Sequence, residues 1–173
     1  MLPSSFLRCL FVLTMAACAG ECAAARLGEL LVKEGNAGVP CFTIVEGEEQ
    51  RSGAPDFQAI TVSEPGAKAA LWKMTMPAQR TFAVTFRMCI PYAGRLPVLP
   101  QTAAAPLETG RVYEVAISAR GQRAASAPRD YRGRFCLVQA EGVRRVRNIP
   151  GAISTAGGAK AVAKQRAACA PLQ

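Results

Sequence analysis

The sequence contains no histidine. Histidine is the usual general base near neutral pH and the most common zinc ligand, so its absence excludes Ser-His-Asp and Cys-His catalytic triads. Aspartate is also scarce, because after residue 25 it occurs only at Asp56 and Asp130. No P-loop, Gly-x-Ser-x-Gly or Ser-x-x-Lys pattern is present, and the glutamates within 46–49 are typical of a solvated loop. We therefore expect a protein that is not an enzyme and that holds no cofactor and no metal.

The sequence also has no hydrophobic run long enough to span a membrane as a helix. The uncharged stretch 9–19 follows a segment with one positive charge, Arg8, and precedes a cluster of small residues. This order is typical of a secretory signal peptide. We predict that residues 1–25 form a signal helix and that the mature protein is exported.

Two processing sites compete at the end of this segment. Met-Ala-Ala-Cys at 15–18 resembles a bacterial lipobox, which would make Cys18 a lipidated membrane anchor. Three alanines at 23–25 fit the A-x-A rule, and cleavage after Ala25 would release a soluble protein that begins at Arg26. Cysteine parity favours the second site, since lipidation of Cys18 leaves Cys22 as an odd thiol in an oxidising compartment.

Cleavage after Ala25 leaves four cysteines, and none of them forms a Cys-x-x-Cys motif. A thioredoxin-like couple and a zinc knuckle are therefore not indicated, and disulfides are the expected state in an exported chain. Four cysteines allow three connectivities. We prefer Cys41 with Cys89 and Cys136 with Cys169, because each lies at a predicted strand end or in a tail that needs anchoring. In the chain-entropy model each bridge contributes about 4 kcal/mol.

Alternation of apolar and polar residues predicts strands at short intervals along the chain. The clearest example is 80–90, and in 57–62 the alternation places Phe57 and Ile60 on opposite faces. The last two strands are expected to form a hairpin around 140–142. Glycine-, proline- and polar-rich loops separate the strands at 46–56, 94–110 and 120–130. The seven predicted strands are 39–45, 57–62, 70–76, 80–90, 111–119, 131–140 and 142–149.

Seven such strands without a long helical segment predict an all-β domain over 26–150. The spacing of the turns favours an antiparallel two-sheet sandwich with an immunoglobulin-like arrangement, and a small barrel is the alternative. Residues 151–173 are rich in alanine, glycine and lysine. We expect them to form a flexible tail with a short helix within 159–168.

The positive charge is concentrated in the second part of the chain. Residues 26–110 contain eight basic and eight acidic residues, whereas residues 111–173 contain twelve basic and three acidic ones. This excess predicts either a cationic face for an acidic partner or a solvated outer face of the sheet. Nucleic acid is a poor candidate, because no recognition motif is present. The candidate partner-binding residues are Arg120, Arg123, Arg129, Arg132, Arg134, Arg144, Arg145 and Arg147.

Four short motifs carry a resemblance to a known group of proteins. Val-Pro-Cys-Phe-Thr-Ile at 39–44, Met-Cys-Ile-Pro-Tyr at 88–92, the strand within 107–119 and Phe-Cys-Leu-Val at 135–138 resemble type VI secretion immunity proteins of the periplasmic lipoprotein type, which are small exported proteins of Gram-negative bacteria. The chain departs from their pattern in an imperfect lipobox, a second cysteine pair and a basic tail.

The resemblance implies a β-sandwich in the periplasm, either soluble or anchored to the outer membrane through a lipidated Cys18. It also implies stoichiometric neutralisation of a toxin. The arginine excess of this chain points to an acidic toxin. No functional residues carry over from it. The alternatives are an accessory envelope protein that binds an anionic polymer or another envelope protein, and, more remotely, an inhibitor of host hydrolases. Only lipidation would bring the chain to a membrane.

Overall fold

Eight β-strands, the short helix α1 (Glu46–Ser52) and helical residues at 165, 167 and 168 make up the computed structural model of the protein, which describes residues 26–94, 99–121, 127–149, 165 and 167–170. The helical residues lie within or at the end of the short helix predicted in 159–168, the rest of which lies outside the described residues. The expected signal peptide with Cys18, the candidate Arg123 and most of the tail 151–173 lie outside the described residues. Within the described part, no helix is long and apolar enough to cross a membrane. The strands are β1 (Leu27–Glu34), β2 (Pro40–Ile44), β3 (Phe57–Ser63), β4 (Ala70–Thr75), β5 (Ile90–Pro91), β6 (Val112–Ala119), β7 (Asp130–Ala140) and β8 (Val143–Asn148).

The strands form one mixed, curled sheet in the order β4-β3-β6-β7-β1-β2-β5, with β8 also paired to β7. β7 is long enough to have two neighbours along one edge: its first residues pair in parallel with β1, and its second half pairs antiparallel with β8. The predicted all-β class is confirmed. The predicted antiparallel two-sheet, immunoglobulin-like sandwich is not confirmed, because the parallel pairing of β1 with β7 joins all the described strands in one sheet.

The core forms where the curled sheet packs against itself. Phe42 of β2 is fully buried, and its ring centroid lies 6.4 Å from that of Trp72 of β4 and 5.6 Å from that of Phe135 of β7. Tyr92, just after β5, packs edge-on against Trp72 at 5.4 Å. The two ends of the strand order thus share a single aromatic core, and large buried rings dominate the energetics of such a core.

The predicted strand 80–90 is wrong except at its end, β5. Its backbone contact with the start of β3 is limited to an isolated antiparallel bridge between Asp56 and Ala83, beside which Phe57 N–H donates to Phe82 O at 2.8 Å. Other backbone groups bond to side chains: Phe82 N–H donates to Asp56 Oδ1 at 3.0 Å, and Phe86 N–H donates to Glu49 Oε2 at 2.6 Å. The segment keeps part of its apolar alternation, because Val84 is buried while its neighbours are less so. Alternation alone therefore predicted part of the burial correctly but not the absence of a continuous strand.

The prediction that the side chains of β3 alternate strictly between its two faces is also wrong. Phe57, Ile60 and Val62 are all fully buried, although strict alternation places Phe57 opposite the other two. The β3–β6 register shifts between Phe57 and Ala59, which is the signature of a β-bulge. A bulge adds one residue to a strand and thereby turns the side chain before it to the other face.

Two elements lie outside the sequence prediction. The sequence pattern predicts no strand at β1 (Leu27–Glu34), and the helix α1 (Glu46–Ser52) occupies the first half of a predicted loop. In α1 the glutamates of the first turn and Arg51 in the last turn complement the helix dipole. A 3₁₀ turn at Asn36–Gly38 joins β1 to β2.

The hairpin predicted around 140–142 is confirmed. Ala140 pairs with Val143, and both residues of the connecting turn have positive φ, 52° at Glu141 and 75° at Gly142. Two consecutive positive φ angles are typical of the two-residue turns that match the twist of a β-hairpin.

Both preferred disulfides are present. Cys41 is bridged to Cys89 across 48 residues of sequence, and Cys136 is bridged to Cys169 across 33. The first bridge ties β2 to the irregular segment before β5. The second anchors the described part of the tail on β7, where Cys136, Val138 and Cys169 form a small apolar cluster on the face away from the main core.

Candidate functional site

An apolar pocket of about 360 Å³ lies where the start of β2, the segment after β5, residues 104–107 and the β7–β8 hairpin meet. This volume is at the lower end of the range found for ligand pockets, about 300–1,000 Å³. Alanine, proline, leucine and tyrosine side chains form most of its lining, and Arg144 is its charged residue. The pocket can therefore receive an apolar group with an adjacent negative charge.

Tyr92 fixes one wall of the pocket. Its backbone N–H donates to Pro40 O at 2.8 Å, and its hydroxyl donates to Ala105 O at 2.7 Å. Burial, together with the nearby Tyr113, raises the pKa of Tyr92 to about 12. The hydroxyl therefore remains a hydrogen-bond donor at any physiological pH, and the wall formed by β2, Tyr92 and residues 104–107 is held in one arrangement.

Arg144 lies on β8 at the hairpin end, opposite Gln139 of β7. It is exposed, and no hydrogen bond or ion pair with another described residue involves its side chain. Its neighbour Arg145 points to the opposite face of the strand and pairs with Glu34 at 2.7 Å. Arg144 thus places a positive charge beside an apolar pocket, and no carboxylate of a described residue pairs with it.

Four of the other candidate arginines share the outer face of β7 and β8, and they have intramolecular partners. Arg132 and Arg134 both contact Glu114 of β6, at 3.5 and 2.9 Å. Arg147 donates to Ala168 O at 2.6 Å, so it contacts the tail. Together with Arg145 on Glu34, these side chains link the strands and the tail to one another.

Arg120 forms hydrogen bonds with the backbone of a turn. Its guanidinium donates to the backbone oxygens of Pro77 and Arg80, both at 2.7 Å, and so fixes the turn after β4. Arg129 is exposed and lacks an ion pair within the described chain, but it lies beside the start of β7. The strand rises about 3.3 Å per residue, which places Arg129 roughly 30 Å from Arg144. The described arginines therefore do not form one patch.

A buried carboxylate is the feature that the sequence prediction missed. Glu48, in the predicted solvated loop, has a side chain only 3% exposed, and its Oε1 contacts Arg26 and Arg51, each at 2.8 Å. Burial alone favours the neutral acid, but the hydrogen bonds from the two arginines outweigh it and hold the pKa of Glu48 below its usual value. The spacing of Glu48 and Arg51, three residues apart, was the available sequence signal for a helix here.

No group of three or more Cys, Asp or Glu side chains suited to a metal ion occurs among the residues that the structure describes. The chain matches no family model, no curated protein and no solved structure, so its function is inferred from the pocket, Arg144 and the disulfide framework.

Proposed function

We propose that the protein is an exported binding protein that captures an acidic protein partner in a stoichiometric complex and performs no catalysis. The observation that carries this proposal is the exposed Arg144, without an intramolecular carboxylate in the described chain, next to an apolar pocket with rigid walls. The apolar pocket would hold an anchor side chain of the partner, and Arg144 would pair with a carboxylate beside that anchor.

This combination has a physical basis. Arginine and large apolar side chains carry much of the binding energy of protein interfaces when they become desolvated at the centre of a contact. A planar guanidinium can contact a carboxylate with two parallel hydrogen bonds, which adds directional specificity to the charge attraction. Since the pocket wall is already fixed by Tyr92, little conformational entropy is lost when a partner binds.

We further propose that the partner is a toxin and that the protein is an immunity protein of the periplasm, either soluble or anchored to the outer membrane. The short cysteine-containing motifs support the resemblance, and two disulfides are compatible with an oxidising compartment. The core contacts between Phe42 and Trp72 support a sandwich-like packing of the two ends of the strand order, as in immunoglobulin-like domains.

An anionic envelope polymer has weaker support as the partner. A polymer binds best to a continuous row of unpaired cations. Here Arg132, Arg134 and Arg145 are paired with carboxylates, and Arg120 and Arg147 with backbone oxygens.

The test is co-expression of the protein with each neighbouring gene that encodes a periplasmic toxin. The protein should restore growth and co-purify with the toxin at a ratio of one to one. Arg144→Ser should reduce both effects, and Arg129→Ser, which removes another exposed arginine far from the pocket, should leave them unchanged. Absence of both protection and co-purification contradicts the immunity role, and equal binding by the two variants contradicts the pocket as the contact surface.

A further inference from the structure

The two disulfides differ in their access to solvent. Cys89, in the segment before β5, is exposed, whereas its partner Cys41 on β2 is buried. Both cysteines of the second bridge, Cys136 and Cys169, are buried in a small apolar cluster. Thiol–disulfide exchange requires that an attacking thiolate reach one of the two sulfurs. The first bridge therefore offers one accessible cysteine to an external thiolate, and the second bridge offers none.

The segment that carries Cys89 is held against β1 and β2 by contacts other than the disulfide. On the side before Cys89, Lys33 Nζ donates to Phe86 O at 2.7 Å. On the other side, β5 pairs with β2, and Ile90 lies opposite Phe42. Opening the bridge therefore leaves Cys89 close to its former partner on β2, and the same bond can form again without refolding of the chain.

The cysteine that would leave during such an exchange has a cation as its neighbour. Lys33 lies directly opposite Cys41 in the β1–β2 pairing, and residues in such a pair share one face of the sheet with their Cβ atoms about 4.5–5.5 Å apart. Burial by itself disfavours a thiolate at Cys41, and a nearby ammonium offsets this by stabilising the negative sulfur. A stabilised thiolate is also the faster leaving group. Attack at Cys89 with departure of Cys41 thus agrees with both access and charge.

We propose that Cys89 is a modification site at which the protein forms a mixed disulfide with an external thiol. The incoming thiolate attacks Sγ of Cys89, where a new S–S bond forms as the bond to Sγ of Cys41 breaks. The electron pair of the broken bond goes to Sγ of Cys41, which can then take a proton from solvent. One disulfide replaces another, so no oxidant or reductant is consumed. Return of the Cys41 thiolate to Cys89 expels the thiol and restores the bridge.

The attacking group is a thiolate, carried either by a small molecule or by a cysteine of another protein. The site does not rest on the proposed binding of a toxin, because it requires only an exposed sulfur and a nearby leaving thiolate. The Cys136–Cys169 bridge is an internal reference in the same molecule. The described part of the tail packs over it, with Arg147 donating to Ala168 O at 2.6 Å, so an external thiolate has no path to either sulfur while the protein is folded.

The first experiment treats the oxidised, full-length mature protein with glutathione at mildly alkaline pH, and peptide mass spectrometry follows after alkylation of the free thiols. A glutathione adduct on Cys89 and a free thiol at Cys41 should appear at least about tenfold faster than any reaction at Cys136 or Cys169. Equal rates at the two bridges, or an adduct mainly on Cys41, overturn the proposal. A second arm replaces glutathione by a reduced thioredoxin that retains only its attacking cysteine. Reaction with both probes assigns the site to protein thiols as well, and reaction with glutathione alone assigns it to small thiols.

Two single substitutions identify the sulfur that is attacked. Cys41→Ser and Cys89→Ser remove the same bridge, so the two variants lose the same covalent constraint and are matched controls for each other. In the folded state, the thiol of Cys89 in the first variant should react rapidly with glutathione disulfide, and the thiol of Cys41 in the second should react slowly. Equally rapid reaction in two folded variants contradicts the proposal. If circular dichroism shows that the variants do not fold, the comparison of the two bridges in the unsubstituted protein decides alone.

Discussion

The side-chain amide of Asn148 forms two hydrogen bonds with the backbone of Val32. Its nitrogen donates to Val32 O, and its oxygen accepts from Val32 N–H at 2.8 Å. The amide therefore forms the pair of hydrogen bonds that a neighbouring strand would otherwise form with Val32. This contact lies where the pairing of β1 with β7 has ended and β8 pairs with β7 instead. The two residues are 116 positions apart in sequence, so this contact holds together distant parts of the chain.

Asn148→Ala should lower the free energy of unfolding by about 1–3 kcal/mol, because it leaves two backbone groups of a buried residue without partners. Asn36→Ala, an asparagine exposed in the 3₁₀ turn, is the matched control and should change it by less than about 0.5 kcal/mol. Denaturant unfolding of the oxidised proteins measures both. Equal effects of the two substitutions would show that the Asn148 contact contributes nothing specific.

The disulfide that anchors the tail should matter for local order more than for the main core. Replacing both Cys136 and Cys169 by serine should destabilise the protein by at most about 4 kcal/mol and should make the tail susceptible to proteolysis. Replacing both Cys41 and Cys89 should instead affect β2 and the segment before β5. Limited proteolysis followed by mass spectrometry distinguishes the two results, and a tail that stays protected without its disulfide contradicts this prediction.

The sequence predicted correctly those features that depend on residues close to one another in the chain, and it failed where contacts with distant residues decide the structure. Apolar alternation and the Glu141-Gly142 turn are local, and they correctly predicted most strands and the hairpin. The strand predicted at 80–90 is mostly absent because several of its backbone N–H groups donate to side chains from other parts of the chain, such as Asp56 and Glu49, and its pairing is limited to an isolated bridge at Ala83 before Ile90. The β3 bulge failed for a similar reason, since a register shift depends on the neighbouring strand.

The candidate site shows the same division. Composition predicted that arginines are candidates for partner binding. It could not distinguish Arg144, which has no described partner, from Arg145, which pairs with a glutamate 111 positions away. The sequence also gave no indication that Glu48 is buried, because a glutamate in a polar run is usually solvated. The disulfides were accessible to sequence reasoning because a strand end and a tail each needed an anchor.

Stability should fall at acid pH in a way that depends on Glu48. Its pKa is lowered in the folded protein, so its contribution is present above the ordinary value of about 4.3 and is lost as the pH falls through the lower, folded pKa. Glu48→Gln should reduce the slope of unfolding free energy against pH between about pH 5 and 3. Glu46→Gln is the control, and an identical slope in the two variants contradicts the assignment.

Gly38 should control the position of Arg144. It has a φ of +70°, and a Cβ at this residue would lie 2.5 Å from the backbone oxygen of Arg144. Gly38→Ala should therefore cost about 1–3 kcal/mol and displace β8. Gly66→Ala is the control. Gly66 has a φ of +78° with open space around it, so this substitution introduces backbone strain but no steric clash. The larger loss of stability should occur at Gly38, and partner binding should weaken only there.

Replacement of one arginine by serine tests the pocket more sharply than replacement of the whole basic segment. Arg145→Ser removes an ion pair with Glu34 and Arg147→Ser removes a contact with Ala168, so both change the fold as well as the charge. Arg144→Ser removes charge alone, so Tm should be unchanged while partner affinity falls at least about tenfold. The salt dependence of binding should weaken with it, because a charge contact is lost. Titration calorimetry with the toxin at two salt concentrations measures both quantities. Unchanged affinity and salt dependence would show that Arg144 is a solvated surface charge.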